Sequence, residues 1–359
     1  MARSIREQFP ELRDIVIKVI LKNHPEIELG LPSEQLNNFV YKVKCKDDNA
    51  FLKVGFKSTI NPESRFLKGN PEFSSFRIQN LLLSGEISQD IINNSFKTSD
   101  NIPILDEDIE YIVTQEVDGQ KLSLADHNEF EYTNSKILEI VKEIDSLELK
   151  SNLSILPNNS LNPTKEFLEA MKLKQEQFLT TWISNSQLKY SEIYNFAISK
   201  LKSFTLGSPF ESGASHGELN FNHIFIEEIP KIKNQTFIMP QSKKISFEVK
   251  INSVSPAIPI QEPSITIIDW GKFSFFRFRY FDLAEYLARI LIEKNMLDDF
   301  ILILDQFKAN FEFDEDTFMY SLMHRIIGTI YEVNHDCNKE IKPCLTEKAL
   351  LQIIKSIKH

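Results

Sequence analysis

The sequence predicts an α+β protein of two lobes, the first built on an antiparallel sheet with a helix and the second mainly helical. Residues 39–54 alternate apolar and polar positions on both sides of Asp47-Asp48-Asn49, the pattern of a half-buried hairpin around a turn. Beyond residue 134 the apolar positions recur at helical spacing instead. A length of 359 residues with 42% hydrophobic content suffices for two cores, at roughly 100–200 residues per domain.

Taken in order, residues 5–24 carry Leu12, Ile15, Val16, Val19 and Ile20 at helical spacing and predict an opening helix. Two strands follow, 39–45 and 50–54. Pro71, then Glu72, Phe73, Phe76, Ile78, Leu81 and Leu82, predicts an amphipathic helix with proline in its first turn, ended by Ser84-Gly85. A strand at 111–117 runs into Asp118-Gly119, a turn signal that sets the expected lobe boundary: 1–117 and 118–359. Helices are expected over 134–147, 164–184 and 191–204, with Thr164 and Ser191 as N-caps and an Asn- and Pro-rich loop over 151–163. Strand patterns return at 245–251 and 265–268, and from Asp282 the chain reads as helical, with breaks near Asp314, Asn334 and Pro343. The 28 phenylalanines are assigned to the core.

Composition narrows the function. A net charge of −10, from 51 acidic and 41 basic residues, argues against nucleic-acid binding and favours a neutral or cationic substrate. No apolar run is long enough for a membrane span, and residues 1–10 lack the apolar centre of a signal peptide, so the expected location is the cytoplasm, with no membrane partner. Cys45, Cys337 and Cys344 are too few and too scattered for a disulfide framework or a zinc site and are read as free thiols.

The chemistry-bearing residues fall in one order. Lys53 lies on a strand, Glu72 on the next expected helix, and Gln115-Glu116-Val117 before Asp118-Gly119. His216-Gly217-Glu218-Leu219-Asn220-Phe221-Asn222-His223-Ile224-Phe225 comes next, then Ile267-Ile268-Asp269-Trp270 and Phe281-Asp282-Leu283-Ala284. Alone, a strand lysine is a solvated face and an aspartate after a strand is a turn residue. In this order they resemble the aminoglycoside phosphotransferase and choline kinase family, whose loop is usually HGDxxxxN and whose later motif is usually IDW or IDF. The resemblance covers nearly the whole chain.

Phosphoryl transfer needs positioning and charge neutralisation more than covalent help. The resemblance accordingly implies a bilobal protein-kinase-like fold with a nucleotide-binding first lobe and a catalytic, substrate-binding second lobe. Lys53 would contact the nucleotide phosphates and Glu72 would hold it by an ion pair, with Glu63 as a competing partner. Backbone groups of Gln115, Glu116 and Val117 would meet the base. Glu218 would be the catalytic carboxylate that orients the acceptor hydroxyl. Asp269 and His223 would ligate the metal, and His216 and Asp282 would brace the loop. The implied cofactor is ATP or GTP with Mg2+, or Mn2+, and the implied partners are that nucleotide and a hydroxyl-bearing small molecule.

The departures from the family pattern are specific. Glu218 stands where the family has aspartate, and a displacement of roughly 1 Å costs about a hundredfold in rate. His223 replaces the usual asparagine, as in the macrolide phosphotransferase branch with its HGDxHxGH loops, and an imidazole shifts preference from Mg2+ toward Mn2+. Asn220 and Asn222 offer amide oxygens in its place. The glycine-rich turn over the phosphates is replaced by Ser33-Glu34-Gln35-Leu36-Asn37-Asn38. An insert over 227–264 replaces a tight hairpin and reads as an extended β-hairpin that covers the cleft or binds a protein partner. Two functions follow: a small-molecule phosphotransferase, weakened by the longer acid, or a pseudokinase that binds nucleotide or protein without turnover. The acceptor, the choice between ATP and GTP and the oligomeric state are not legible. Acceptor contacts would come from the helices of 134–204 and the C-terminal helices, where His324, Glu332 and Asp336 are candidates by location alone.

Overall fold

A computed structural model describes residues 5–33, 38–95, 105, 107–122, 127–147, 212–227, 264–292, 296–311 and 314–336. The expected helices at 164–184 and 191–204, the strand pattern at 245–251, most of the 227–264 insert, most of the Ser33 to Asn38 turn, and Cys337 and Cys344 lie outside the described residues, as do the side chains of Glu332 and Asp336.

The opening helix is broken where proline has no N–H to donate: α1, Ile5–Gln8, gives way to a single 3-10 turn, Pro10–Leu12, and then to α2, Arg13–Asn23. The first sheet is antiparallel throughout, with order β1-β2-β3-β6-β5. Its strands are β1 Ile27–Ser33, β2 Phe39–Cys45, β3 Asp48–Phe56, β5 Leu81–Ile87 and β6 Ile109–Gln115. The expected hairpin is present, paired from Phe39 with Val54 to Cys45 with Asp48. Val16, Ile20, Leu52, Val54, Phe56 and Val113 close one core beneath it.

The helix expected from Pro71 is absent, and the correction has a local cause. The helix here is α3, Lys57–Gly69, which follows β3 directly and ends where Asn70 takes left-handed backbone angles ahead of Pro71. Residues 71–76 have no regular structure, Arg77–Ile78 forms the short β4, and Leu81–Ile87 is the edge strand β5. The apolar residues read as a helical stripe are divided: Phe73, Phe76, Ile78 and Leu81 pack on a second core, Leu82 on the first.

That second core is built on two small sheets and a set of helices. β4, β7 (Gln120–Lys121), β9 (Ile224–Ile226) and β10 (Ile265–Ile267) form a sheet of order β4-β10-β9-β7, while β8 (Ser212–Ser215) pairs with β11 (Ser274–Phe278). After the short α4, Gln89–Ser95, the helices are α5 His127–Asp145, α6 Phe281–Ile292, α7 Leu297–Asn310 and α8 Glu315–Asp336. Every residue of α6 from Phe281 to Ala288 is buried, which makes it the central helix of this core. Asp314 starts α8 by accepting the Thr317 amide at 2.5 Å. Phe66 and Leu67 of α3 and Phe76 pack into the second core, so the segment after β3 ties the two cores together. Among the described residues no helix is long and apolar enough to cross a membrane.

Candidate nucleotide and metal site

Lys53 is placed by strand alternation. Leu52 and Val54 are fully buried in the first core, so Lys53 between them faces the other way. Its Nζ lies 2.7 Å from Glu63 Oε2 and 2.9 Å from Asp269 Oδ1. The ion-pair partner is therefore Glu63, and the assignment to Glu72 is corrected: Glu72 is exposed, beyond the end of α3, whereas Glu63 sits inside that helix with 2% exposure. Burial opposes the charge on Lys53, but Glu63 and Asp269 outweigh it and hold its pKa above the ordinary lysine value. Asp269 is likewise desolvated, yet Lys53, and after it His223, holds its carboxyl below the usual range. Glu63 is pushed up, first by burial and then by the charge of Asp269, against the pull of Lys53.

The loop from His216 to His223 is held from below. Asp282, in the first turn of α6, accepts the Ser215 hydroxyl at 3.0 Å, the His216 amide at 2.7 Å and the Gly217 amide at 2.9 Å. Burial nevertheless pushes its carboxyl up to about 6, against these hydrogen bonds. The His216 ring is fully buried. Its Nδ1 accepts the Glu218 amide at 3.3 Å, so Nε2 carries the proton and donates to the Ile268 carbonyl at 2.9 Å. Burial, with the neighbouring His223, lowers its pKa to about 3, so it is a neutral brace that ties this loop to the strand before Asp269. Gly217 has φ +87°, and a Cβ there would meet the Lys272 carbonyl oxygen at 2.4 Å.

Trp270 fixes the opposite side. Its indole is fully buried, stacked on Phe66 of α3 at 4.0 Å and met edge-on by His216 at 4.5 Å, with Nε1 donating to the Ile267 carbonyl at 3.1 Å. Asp269 before it takes left-handed angles, φ 64° and ψ 61°, a conformation aspartate tolerates better than most residues.

These supports bring three donors together. His223 Nδ1 donates to the Glu218 carbonyl at 2.8 Å, which turns Nε2 toward Asp269, 3.5 Å from its Oδ2. Glu218, His223 and Asp269 each offer one ligand atom, all within 4.8 Å of one another. Two carboxylates and an imidazole whose Nε2 is turned toward them suit a divalent cation. Asn220 turns its side-chain oxygen to the Asn222 amide at 2.9 Å, shaping the 3-10 turn Phe221–His223, and Asn222 is exposed. Sequence reasoning missed Lys272, whose Nζ lies 2.8 Å from Glu218 Oε1; its place three residues after Asp269 was the available signal.

The three residues before the Asp118-Gly119 turn differ in what they leave open. Gln115 is already engaged on the backbone: its amide donates to Asn80 O at 2.9 Å and its carbonyl accepts Gln79 Nε2 at 2.9 Å. The Glu116 amide donates to Asn49 O at 2.7 Å. Among the described residues, the Glu116 carbonyl and both backbone groups of Val117 keep their hydrogen-bonding capacity.

A five-stranded antiparallel sheet whose third strand carries a lysine, facing a loop and an aspartate borne by a largely helical second core, is the bilobal protein-kinase-like fold. Solved structures agree. The apo form of a thermostable mutant of aminoglycoside phosphotransferase APH(4)-Ia is 14% identical over 94% of this chain and 98% of that one, with a TM-score of 0.56. A ternary complex of a mutant of that protein with ADP and hygromycin B is 13% identical over 95% and 97%, with a TM-score of 0.55. A GDP complex of a mutant aminoglycoside 2'-phosphotransferase-IIIa is 14% identical over 96% of each chain, with a TM-score of 0.51. The chain therefore has the aminoglycoside phosphotransferase fold. No protein-family model matches the chain, and no curated protein does.

Proposed function

We propose that the protein is a nucleotide-dependent phosphotransferase that moves the γ-phosphoryl group of ATP or GTP to a hydroxyl of a small molecule. The observation that carries this reading is the convergence of Lys53 from β3, Glu218 and His223 from one loop, and Asp269 after β10, three separate segments, at one place. The structures of this fold named above hold ADP with hygromycin B in one case and GDP in another, which supports a nucleotide and a polyhydroxylated acceptor here.

In this reading Lys53, held by Glu63, neutralises phosphate oxygens, and the base meets the Glu116 carbonyl and the Val117 amide. Gln115 contributes by shaping the strand end. His223 and Asp269 would hold Mg2+ or Mn2+, which supplies charge neutralisation for the phosphates. Glu218 accepts the proton of the acceptor hydroxyl as its oxygen bonds to the γ-phosphorus and the bond from that phosphorus to the bridging oxygen breaks, leaving the nucleoside diphosphate. His216 and Asp282 act through position alone. The lobe division near residue 117 belongs to the same reading, with the cleft between the two parts.

A second reading, a nucleotide-responsive binding module without turnover, draws on the Lys272–Glu218 pair, which occupies one oxygen of the catalytic carboxylate. The test is transfer of labelled γ-phosphate from ATP and GTP, with Mg2+ and with Mn2+, to a panel of aminoglycosides, macrolides, choline and amino alcohols. Transfer to any member supports the phosphotransferase. Nucleotide binding with neither transfer nor hydrolysis overturns it in favour of the module.

A further inference from the structure

We propose that the acceptor carries a carboxylate beside its hydroxyl, and that Arg277, with His324, forms the site that holds this carboxylate next to Glu218. The inference rests on the phosphotransfer reading for the reaction and adds to it the class of acceptor.

Arg277 stands on β11, the strand between the Trp270 turn and α6. Its guanidinium lies against the residue before Glu218: a Cβ on Gly217 would meet its Nη2 at 2.7 Å. That nitrogen donates to the Lys272 carbonyl at 2.8 Å. The Nε, by contrast, is buried and has no acceptor among the described residues. The carboxylates of α6 are committed elsewhere. Asp282 accepts the Ser215 hydroxyl and the His216 and Gly217 amides, and Glu285 takes Arg289 at 2.9 Å on one oxygen and Arg325 on the other. What Arg277 does meet is the Phe281 ring, 4.9 Å from the centroid, with Arg325 5.4 Å from the same ring. Burial pulls the Arg277 pKa below the ordinary arginine value; Asp282 opposes this and Arg325 adds to it.

His324, one residue before Arg325 on α8, has its ring 6.1 Å from that of Phe281. Its Nδ1 is also buried without a partner. Burial, then Arg325 and Arg277, lowers its pKa to about 3, so the ring is neutral and offers one N–H. Two nitrogens left unsatisfied around one phenylalanine, one of them in a charged guanidinium, are costly unless an anion completes them. The planar fork of an arginine matches a carboxylate. Both side chains belong to partly exposed residues, and a change of rotamer, the common adjustment on binding, turns them to a ligand. The net charge of −10 describes the whole molecule, whereas the charge without a carboxylate partner at this place is positive. In the reaction the carboxylate is a handle only: the acceptor oxygen bonds to the γ-phosphorus, its proton passes to Glu218 and the nucleoside diphosphate leaves.

The test compares acceptors in pairs that differ at the carboxylate alone, sugar acids and hydroxy amino acids against their amides, with ATP or GTP and Mg2+ or Mn2+. For the best acid, kcat/KM is expected to exceed that of its amide by at least about a hundredfold, because a site built around a charge rejects the analogue that lacks it. Arg277→Gln should bring the two within about threefold, chiefly by raising KM for the acid, and Arg277→Lys should restore part of the preference. His324→Gln provides a second variant, with a preference reduced by about tenfold. Thermal shift without nucleotide reads the site independently of turnover: the acid should stabilise the wild type and not Arg277→Gln. Transfer to amides or aminoglycosides with no preference for acids overturns the inference and leaves the phosphotransferase standing. An acid preference that survives both Arg277→Gln and His324→Gln overturns the assignment to these residues. Stabilisation by the acid that Arg277→Gln abolishes, with neither transfer nor nucleotide hydrolysis, sinks the phosphotransfer reading and leaves the carboxylate site.

Discussion

Glu63→Gln tests which carboxylate holds Lys53. The Lys53–Glu63 contact is 2.7 Å, with the lysine side chain 14% exposed and the glutamate 3%. Opposite charges at that distance attract by about 6 kcal/mol at an effective dielectric constant near 20, against a desolvation cost of several kcal/mol for a buried carboxylate. Removing one partner of a buried pair typically costs about 3–5 kcal/mol. Lys53 keeps Asp269 at 2.9 Å, and glutamine keeps an oxygen that accepts a hydrogen bond, so the expected loss is smaller, about 2–3 kcal/mol. The assay is urea unfolding of the wild-type protein, Glu63→Gln and Glu72→Gln, together with ATP-dependent thermal shift. Glu63→Gln should lower stability and nucleotide response together, because the unpaired lysine then leans wholly on Asp269. Glu72→Gln, at an exposed position, should match the wild type. Equal effects of the two substitutions, or a stable Glu63→Gln with unchanged nucleotide response, would refute the assignment.

Three further outcomes follow from the geometry. Glu218→Gln should reduce phosphate transfer by about 10²- to 10⁴-fold with little change in melting temperature, since under the proposed function its carboxylate takes the acceptor's proton and it lies outside the core; an unchanged rate in a transfer assay would contradict that role. Gly217→Ala should be destabilised by strain of order 1–3 kcal/mol and lose activity, because φ +87° and a Cβ 2.4 Å from the Lys272 carbonyl both oppose a side chain, and urea unfolding checks it. His216 has a folded pKa of about 3 against an ordinary 6.5, so the unfolded chain takes up the proton first as pH falls. Its contribution is present above pH 6.5 and lost between 6.5 and 3. Asp282, pushed from 3.8 up to about 6, runs the other way: its contribution is full below 3.8 and lost as pH rises through 6. The stability difference between wild type and His216→Gln should therefore grow by up to about 1.4 kcal/mol per pH unit from pH 4 to 6, and parallel urea profiles would refute it.

How much was legible in the sequence depends on whether the signal is local. The β2–β3 hairpin could be read because alternation and turn chemistry lie within sixteen residues of one another, and Lys53 stands out there between two core positions. The loop from His216, with Asp269 and Asp282, was legible as a spaced set of residue types, and the kinase-like fold with it. Helix α3 was not. Pro62 sits inside it, and Ser58, Thr59 and Asn61 are weak helix formers, while the apolar residues of 73–82 imitate a helical stripe that two different cores in fact share. That single misreading carried the lysine's partner from Glu63 to Glu72. The engagement of Gln115 by Gln79 and Asn80, the Trp270 stack on Phe66 and the Lys272–Glu218 pair depend on contacts between distant segments, which no local pattern encodes.

The most direct measurement is a crystal structure of the protein with a non-hydrolysable ATP analogue and Mn2+, read at the manganese absorption edge. The phosphotransfer mechanism predicts an anomalous peak within bonding distance of His223 Nε2 and Asp269 Oδ2, beside the phosphates, with Lys53 between Glu63 and the nucleotide. A nucleotide bound elsewhere, or a cation on the phosphates with His223 and Asp269 turned away from it, would contradict it.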